Sequence, residues 1–315
     1  MGHTYERDEG QAPVFIVCCA RSGSTLLRYI LDTHPQIACP PELHIASLLG
    51  QLSWRWQILE SSEVALGHVR NLVDKALGAY AQQRQKKIWC EKSVSTVDYL
   101  DAVTTVFPDA RFLCLYRHCL DVVASAIVVV RFDRAGRYGF ESYVASNPSN
   151  LMDALVSYWV EKTATELRFQ AAHRNQCIPV HFESLVLNPV DTLNGVFDFL
   201  QVPWDPALLH NIFVTPHQIG PGDRKILFAT KIDPKCIGRG TQLQTDRITQ
   251  DQFRQMKELL QELGYGICNP PGTAPLLRSA AARSSSNANP SAEVQAPLDQ
   301  LARDLREHVL THDEQ

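Results

Sequence analysis

A strand-like run that turns through Gly, Ser and Thr directly into a helix constrains this chain more than any other feature. Val14–Cys19 (VFIVCC) is an unbroken apolar run, Ala20–Thr25 (ARSGST) is the turn, and Leu26, Leu27, Tyr29, Ile30 and Leu31 follow with helical spacing. A turn of this kind leaves the first N–H groups of the helix without partners and aims the positive end of its dipole at the same place. That is a ready anion site, and phosphate is its usual occupant. Arg21 adds a fixed charge, and Ser22, Ser24 and Thr25 add hydroxyl donors beside Gly23 and Leu26.

The same alternation continues along the chain. Strands are predicted at Val14–Cys19, Ile88–Cys90, Arg111–Tyr116 and Ile178–Phe182. Helices are predicted at Ser24–Thr33, Thr96–Phe107, Asp121–Val130, Leu151–His173, Val190–Leu200 and Thr249–Leu263. Strands separated by helices imply an α/β fold with a parallel sheet flanked by helices and joined by right-handed crossovers. Ligands then sit beyond the carboxyl ends of the strands, where Arg21 and Arg117 both fall.

Neither common nucleotide loop is present. No Lys follows Gly23, so the turn is not G-x-x-x-x-G-K-[ST], and no G-x-G-x-x-G occurs at the strand–helix junction. RSGSTLL instead resembles the 5′-phosphosulfate loop of sulfotransferases that use 3′-phosphoadenosine-5′-phosphosulfate (PAPS). A second segment, LYRHCLDVVAS, is similar to that family's Y-R-D-P-R-D-V-V-A-S and places Arg117 eight residues before Ser125. The resemblance implies that Arg117 and Ser125 hold the 3′-phosphate, a task that suits the planar fork of a guanidinium. His118-Cys119-Leu120 stand where the family often has Asp-Pro-Arg, which removes a frequent second Arg.

Three more segments extend the likeness to about residues 13–268, closest to the bacterial and tyrosylprotein sulfotransferase branch. WCEKSVSTVDYL resembles its Lys-bearing segment, IPVHFESLVLNP its strand–helix unit, and GDRKILFATKIDPKCIGRG its late loop. A weaker likeness runs to sulfotransferase domains of polyketide synthases. The resemblance implies a P-loop-NTPase-like sulfotransferase fold and transfer of the sulfuryl group of PAPS to a hydroxyl, on a small molecule or on an acceptor tethered to a carrier protein. It implies Glu42, in CPPELHI, as the catalytic base and Lys92 as the contact to the sulfuryl group. Arg239 follows as a second 3′-phosphate contact, and Phe182 or His181 as the aromatic that faces adenine. Ile45 stands where the tyrosylprotein branch has an Arg, which points to an acceptor other than peptide tyrosine. His217, in the Pro/Gly-rich TPHQIGPGD, is the rival base, since a histidine has a suitable ordinary pKa. Two other readings remain open at this point: a phosphotransferase, and a non-catalytic binding protein on the same fold.

Composition excludes several classes. The chain has 315 residues, a net charge of −4 and 45% hydrophobic content, which suits one large α/β core and lacks the basic footprint of a nucleic-acid binder. The nine cysteines include no C-x-x-C pair, and no H-E-x-x-H occurs, so no metal is expected. Met1–Gln11 does not read as a signal peptide and no apolar run is long enough to span a membrane, so a cytoplasmic location is expected. Residues 1–12 read as a flexible N-terminus and 13–268 as the sulfotransferase domain. Residues 269–297, rich in Pro, Ala, Ser and Asn, read as a linker, and 298–315 as a short amphipathic helix for a docking partner. Arg131–Asn150, polar and aromatic, is either a flap over the acceptor or a surface excursion.

Overall fold

The computed structural model describes residues 11–58, 61–131 and 138–266. The expected linker and terminal helix therefore lie outside the described residues. Among the described residues, five parallel strands run in the order β2-β3-β1-β4-β5. They are β1 (Val14–Cys18), β2 (Ile37–Ala38), β3 (Ile88–Lys92), β4 (Arg111–Tyr116) and β5 (Cys177–His181). Every residue of β1 is buried, as a central parallel strand covered on both faces requires. Phe15 of β1 anchors the aromatic core, stacked on Phe112 at 5.9 Å between ring centres and edge-on to Trp89 at 5.5 Å.

The chain crosses from β1 to β2 and β3 on one side, then to β4 and β5 on the other, so the direction of winding reverses at β1. Register fixes what meets at that switch point: Cys18 pairs with Leu115, and Ile16 with Lys92. The residues just beyond β1 and β4, and the last residue of β3, thus share the carboxyl edge of the sheet, where α/β folds bind ligands.

Ten α-helices accompany the sheet among the described residues. Helix α1 (Ser24–Thr33) follows β1, while α2 (Ile45–Trp56) and α3 (Ser62–Gln82) lie between β2 and β3. Helix α4 (Leu100–Val106) precedes β4, and α5 (Cys119–Arg131), α6 (Glu141–Ser146) and α7 (Leu151–Ala172) follow it. Helices α8 (Phe182–Leu187), α9 (Pro189–Leu200) and α10 (Gln250–Glu262) end the described chain. Helix α7 braces the switch point directly. Its Tyr158 hydroxyl accepts from the Ala20 N–H at 2.8 Å, and its Trp159 indole donates to the Arg117 carbonyl at 3.1 Å.

Several boundaries differ from the sequence expectation. The helix predicted at Thr96–Phe107 is a 3₁₀ turn, Val94–Asp98, followed by α4, with a break at Tyr99 (φ −132°, ψ 26°). The Thr96 hydroxyl bonds the buried Glu91 carboxylate at 3.0 Å, which tightens this stretch against β3. Phe182 begins α8 instead of ending β5. Helices α2 and α3 were not expected. Yet Ala65, Val69, Val73, Leu77 and Ala81, spaced four residues apart, form a stripe that faces the core and marks α3.

The late loop is pinned to the start of α5. The Asp121 carboxylate accepts from the Gly238 and Gly240 N–H groups at 2.8 and 2.7 Å. A Cβ on Gly240 would lie 2.2 Å from the Leu120 backbone carbon, whereas one on the exposed Gly195 of α9 would meet nothing within 4 Å. Gly240→Ala is therefore expected to destabilise the fold by about 1–3 kcal/mol, as overpacking does. Gly195→Ala, in an open helix interior, is expected to stabilise it by about 0.5–1 kcal/mol. Thermal melts of the two variants should move in opposite directions.

Candidate active site

The turn after β1 has the backbone of an anion cradle. Arg21 and Gly23 both adopt left-handed φ, 70° and 95°, a setting in which successive N–H groups form a concavity. The Leu26 and Leu27 N–H groups bond back to the Gly23 carbonyl at 3.0 and 3.3 Å, so the N–H groups ahead of them have no acceptor within the helix. Gly23 is required on two counts. Its φ strains any other residue, and a Cβ there would lie 2.2 Å from the Phe182 ring. Cys19 Sγ meets Ser22 Oγ at 2.9 Å, and burial pushes the Cys19 thiol up to about 12, so it packs as a neutral group.

Arg117, one residue beyond β4, ties this turn to the late loop. It donates to the Arg21 carbonyl at 3.0 Å and to the Cys236 carbonyl at 2.7 Å, and its guanidinium lies 4.3 Å over the Phe182 ring. Its Nε–H is buried without a partner. A buried guanidinium N–H left unspent beside an anion cradle fits a phosphate oxygen. Ser125, half-buried on α5, accepts from Arg21 Nε at 3.0 Å. The other end of Arg21 donates to Asp223 at 2.7 Å, and its guanidinium faces the Tyr138 ring at 5.3 Å. Burial works against the charge of Asp223, but Arg21 and Lys225 outweigh it and hold the carboxyl below the usual range.

Lys92 and Glu42 form a buried ion pair, with side chains 1% and 4% exposed. Lys92 ends β3 on the ligand-bearing edge. A Cβ on Gly222 would meet both Lys92 Nζ, at 3.7 Å, and Thr25 Oγ1, at 3.3 Å, so the ammonium lies beside the anion cradle. Behind Lys92, burial raises the Glu91 carboxyl despite its bonds to Ser93 and Thr96. Ser93 also accepts the His44 N–H at 2.9 Å and so fixes the segment that carries Glu42.

A separate cleft of about 710 Å³ is lined by His44, Ser95, Asp98, Tyr138, Tyr143 and Lys162 among others. Tyr138 links the two regions, since its ring also faces Arg21. Lys162 bonds Asp98 at 2.6 Å and Glu161 at 3.3 Å. Among the described residues, no group of three or more His, Cys, Asp or Glu is placed to hold a metal ion, and no helix is long and apolar enough to cross a membrane.

Two expected residues stand apart from this cluster. His217 has both ring nitrogens engaged, with Asp32 at 2.7 Å and the Ile212 carbonyl at 2.8 Å, and its ring packs on Tyr29 at 4.0 Å. This geometry clamps the loop before Gly220 onto α1 and leaves neither nitrogen for an incoming hydroxyl. Arg239 is exposed and bonds the Lys235 carbonyl at 3.1 Å; the late loop reaches Arg117 through Cys236 instead. His181 bonds the Tyr265 hydroxyl at 3.1 Å, whereas Phe182 packs on Gly23 and Arg117. Asp121, Tyr138, Tyr158, Trp159 and Asp223 shape the site without having been singled out from the sequence. The aromatic character of Arg131–Asn150 is the one signal that pointed at Tyr138.

A family model described as "Sulfotransferase family" matches residues 13–206. Protein-tyrosine sulfotransferase 1 of Danio rerio is 24% identical over 211 residues, covering 63% of this chain and 55% of its own length. Protein-tyrosine sulfotransferase 1 of Homo sapiens is 25% identical over 277 residues, covering 82% of this chain and 71% of its own length. The chain spans about half the length of the Danio rerio, Drosophila melanogaster and Caenorhabditis elegans relatives it matches. Among solved structures, the sulfotransferase domain of the curacin biosynthetic pathway superposes with a TM-score of 0.61 at 19% identity, covering 83% of this chain and 99% of that domain. The sulfotransferase domain of the Synechococcus PCC 7002 olefin synthase gives 0.58 at 24% identity, covering 84% and 99%. The fold is that of the P-loop-like sulfotransferases.

The His217 clamp has a measurable signature. Burial disfavours the Asp32 charge, but His217, the Cys39 N–H and Lys86 outweigh it and hold the carboxyl below its usual value. A carboxyl whose pKa is depressed on folding stabilises above its unfolded pKa, and that stability is lost as pH falls through the folded value. Asp32→Asn should thus cost about 1–3 kcal/mol near pH 7. The difference from the parent should shrink below about pH 4. His217→Asn should also lower the melting temperature at pH 7; an unchanged melt would show that the histidine does not clamp the loop.

Proposed function

The chain belongs to the sulfotransferase family, and on that premise we propose that it moves the sulfuryl group of PAPS to a hydroxyl, releasing adenosine 3′,5′-bisphosphate. The observation that carries the donor assignment is the unspent, buried Arg117 Nε–H beside the cradle after β1. Two anion anchors at the ends of adjacent strands suit a nucleotide with phosphates at two positions. Backbone N–H groups of Ser22–Thr25 and the Ser22, Ser24 and Thr25 hydroxyls would hold the 5′ end, and Arg117 with Ser125 the 3′-phosphate. Phe182, packed between Gly23 and Arg117, would border the adenine.

PAPS supplies an activated sulfuryl group, whose S–O bond to the 5′-phosphate breaks as the bond to the acceptor oxygen forms. Glu42 takes the proton of the acceptor hydroxyl. Lys92 holds the negative charge that builds on the leaving phosphate, aided by the cradle N–H groups. Glu42 is preferred over His217 because it pairs with Lys92 at the cradle, whereas both nitrogens of His217 are occupied.

The proposed acceptor is a hydroxylated small molecule or a carrier-tethered chain. The cleft of about 710 Å³ beside Tyr138 has room for either. The relatives named for protein tyrosine support a hydroxyl acceptor.

Calorimetry tests the donor. Adenosine 3′,5′-bisphosphate should bind at least about tenfold more tightly than AMP, since charge-assisted bonds to a 3′-phosphate contribute about 1.5–3 kcal/mol each. Equal affinities would overturn the PAPS assignment. Glu42→Gln tests the base: turnover should fall about 10²–10⁴-fold while bisphosphate binding persists. Near-full activity would remove Glu42 from the role.

A further inference from the structure

Three cations at the cradle are each paired with a carboxylate, Lys92 with Glu42, Arg117 with Asp121 at 3.9 Å and Arg21 with Asp223 at 2.7 Å, and Lys225 adds a further positive charge beside Asp223. The three pairs differ in burial. The carboxylates of Glu42 and Asp121 are 4% and 2% exposed, but that of Asp223 is 35% exposed, against 7% for its Arg21 partner. Asp121 is also tied to Gly238 and Gly240, and Glu42 is enclosed with Lys92. Of these three carboxylates, only that of Asp223 reaches water, so it can give up its place on the buried Arg21 to an incoming anion.

Asp223 is also placed to matter. Its backbone N–H donates to Thr25 Oγ1 at 3.2 Å while its side chain takes Arg21, so one residue engages both ends of the turn. It sits on a short strap, residues 220–225, with Pro221 between two glycines. Gly222 has φ 142° and faces Thr25 and Lys92, and Gly220 lies against Pro41. The Tyr138 hydroxyl reaches the Gly222 carbonyl at 3.4 Å.

We propose that Asp223 is a built-in counter-ion that competes with the donor's anionic groups for Arg21, so that the donor binds by displacing it and its return favours release of the product. The carboxylate balances the cradle before an anion arrives. A phosphate or sulfuryl group brings the same charge to the same place, and the two repel. Asp223 thereby sets donor affinity below what the cradle alone would give and shortens the residence of the bisphosphate product. The inference rests on the donor reading only for the identity of the anion.

The test compares the full chain with Asp223→Asn, which keeps the backbone bond to Thr25 and an acceptor for the Lys225 N–H that now caps the following 3₁₀ turn on Asp223. Asp223→Ser is the second variant in case the first misfolds. Titrations with adenosine 3′,5′-bisphosphate and, separately, inorganic sulfate are read by calorimetry and by ligand-induced melting shifts. Both variants should melt lower than the parent without ligand, gain more on adding either anion, and bind the bisphosphate at least about threefold more tightly. Weaker or unchanged anion binding would overturn the proposal and make Asp223 a positioning residue for Arg21. Tighter sulfate binding by the variants, with no bisphosphate binding by any form, would uphold the counter-ion and overturn the donor assignment instead.

Discussion

The contact on which the site depends is that of Arg117 with the Arg21 carbonyl. It joins the residue after β4 to the turn after β1, and the parallel register of those two strands makes the distance possible. Everything near it is built to hold that guanidinium. Phe182 lies beneath it, the Trp159 indole holds its backbone carbonyl, and Cys236 draws the late loop onto it. A buried Arg with one N–H unspent is expensive to keep unless a ligand completes it. The proposed 3′-phosphate would complete it.

The parts legible in the sequence were those governed by local chemistry. The apolar run of β1, the turn at Arg21–Thr25 and the helical spacing after it gave β1 and α1 within a residue at either end. Arg111–Tyr116 coincides with β4 for the same reason. Lys92 and Glu42 could be proposed from a resemblance, but their pairing could not: it joins residues 50 apart in sequence through the β1–β3 register and the His44–Ser93 bond. Strand β2, two residues long, is too short to leave a periodic signal, and its place at the sheet edge is set by its ladder with β3.

Neither residue type nor resemblance reports where a side chain finds its partners, as His217 and Arg239 illustrate. His217 has the right chemistry for a base, yet its neighbours Asp32, Ile212 and Tyr29 come from distant turns and consume both nitrogens. Arg239 stands beside two glycines in a late basic loop, but Asp121 fixes those glycines so that a carbonyl, and not the Arg239 side chain, meets Arg117. In both cases tertiary hydrogen bonding decided the outcome, and nothing in the local sequence reports it.

The matched charges bear on the proposed chemistry as well as on binding. A Glu that accepts a proton in a buried site loses its charge, and an unpaired ammonium next to it would be costly. In the proposed transfer Lys92 would escape that cost, because a negative charge would grow on the leaving phosphate as Glu42 is neutralised. The ammonium exchanges one anionic partner for another, and the net charge around it does not change. A base paired to the very cation that serves the leaving group is thus better suited to this transfer than a free carboxylate. The Glu42–Lys92 pair is enclosed and the Arg21–Asp223 pair is open to water on one side, a contrast that matches the separate roles proposed for them, transfer for the first and access for the second.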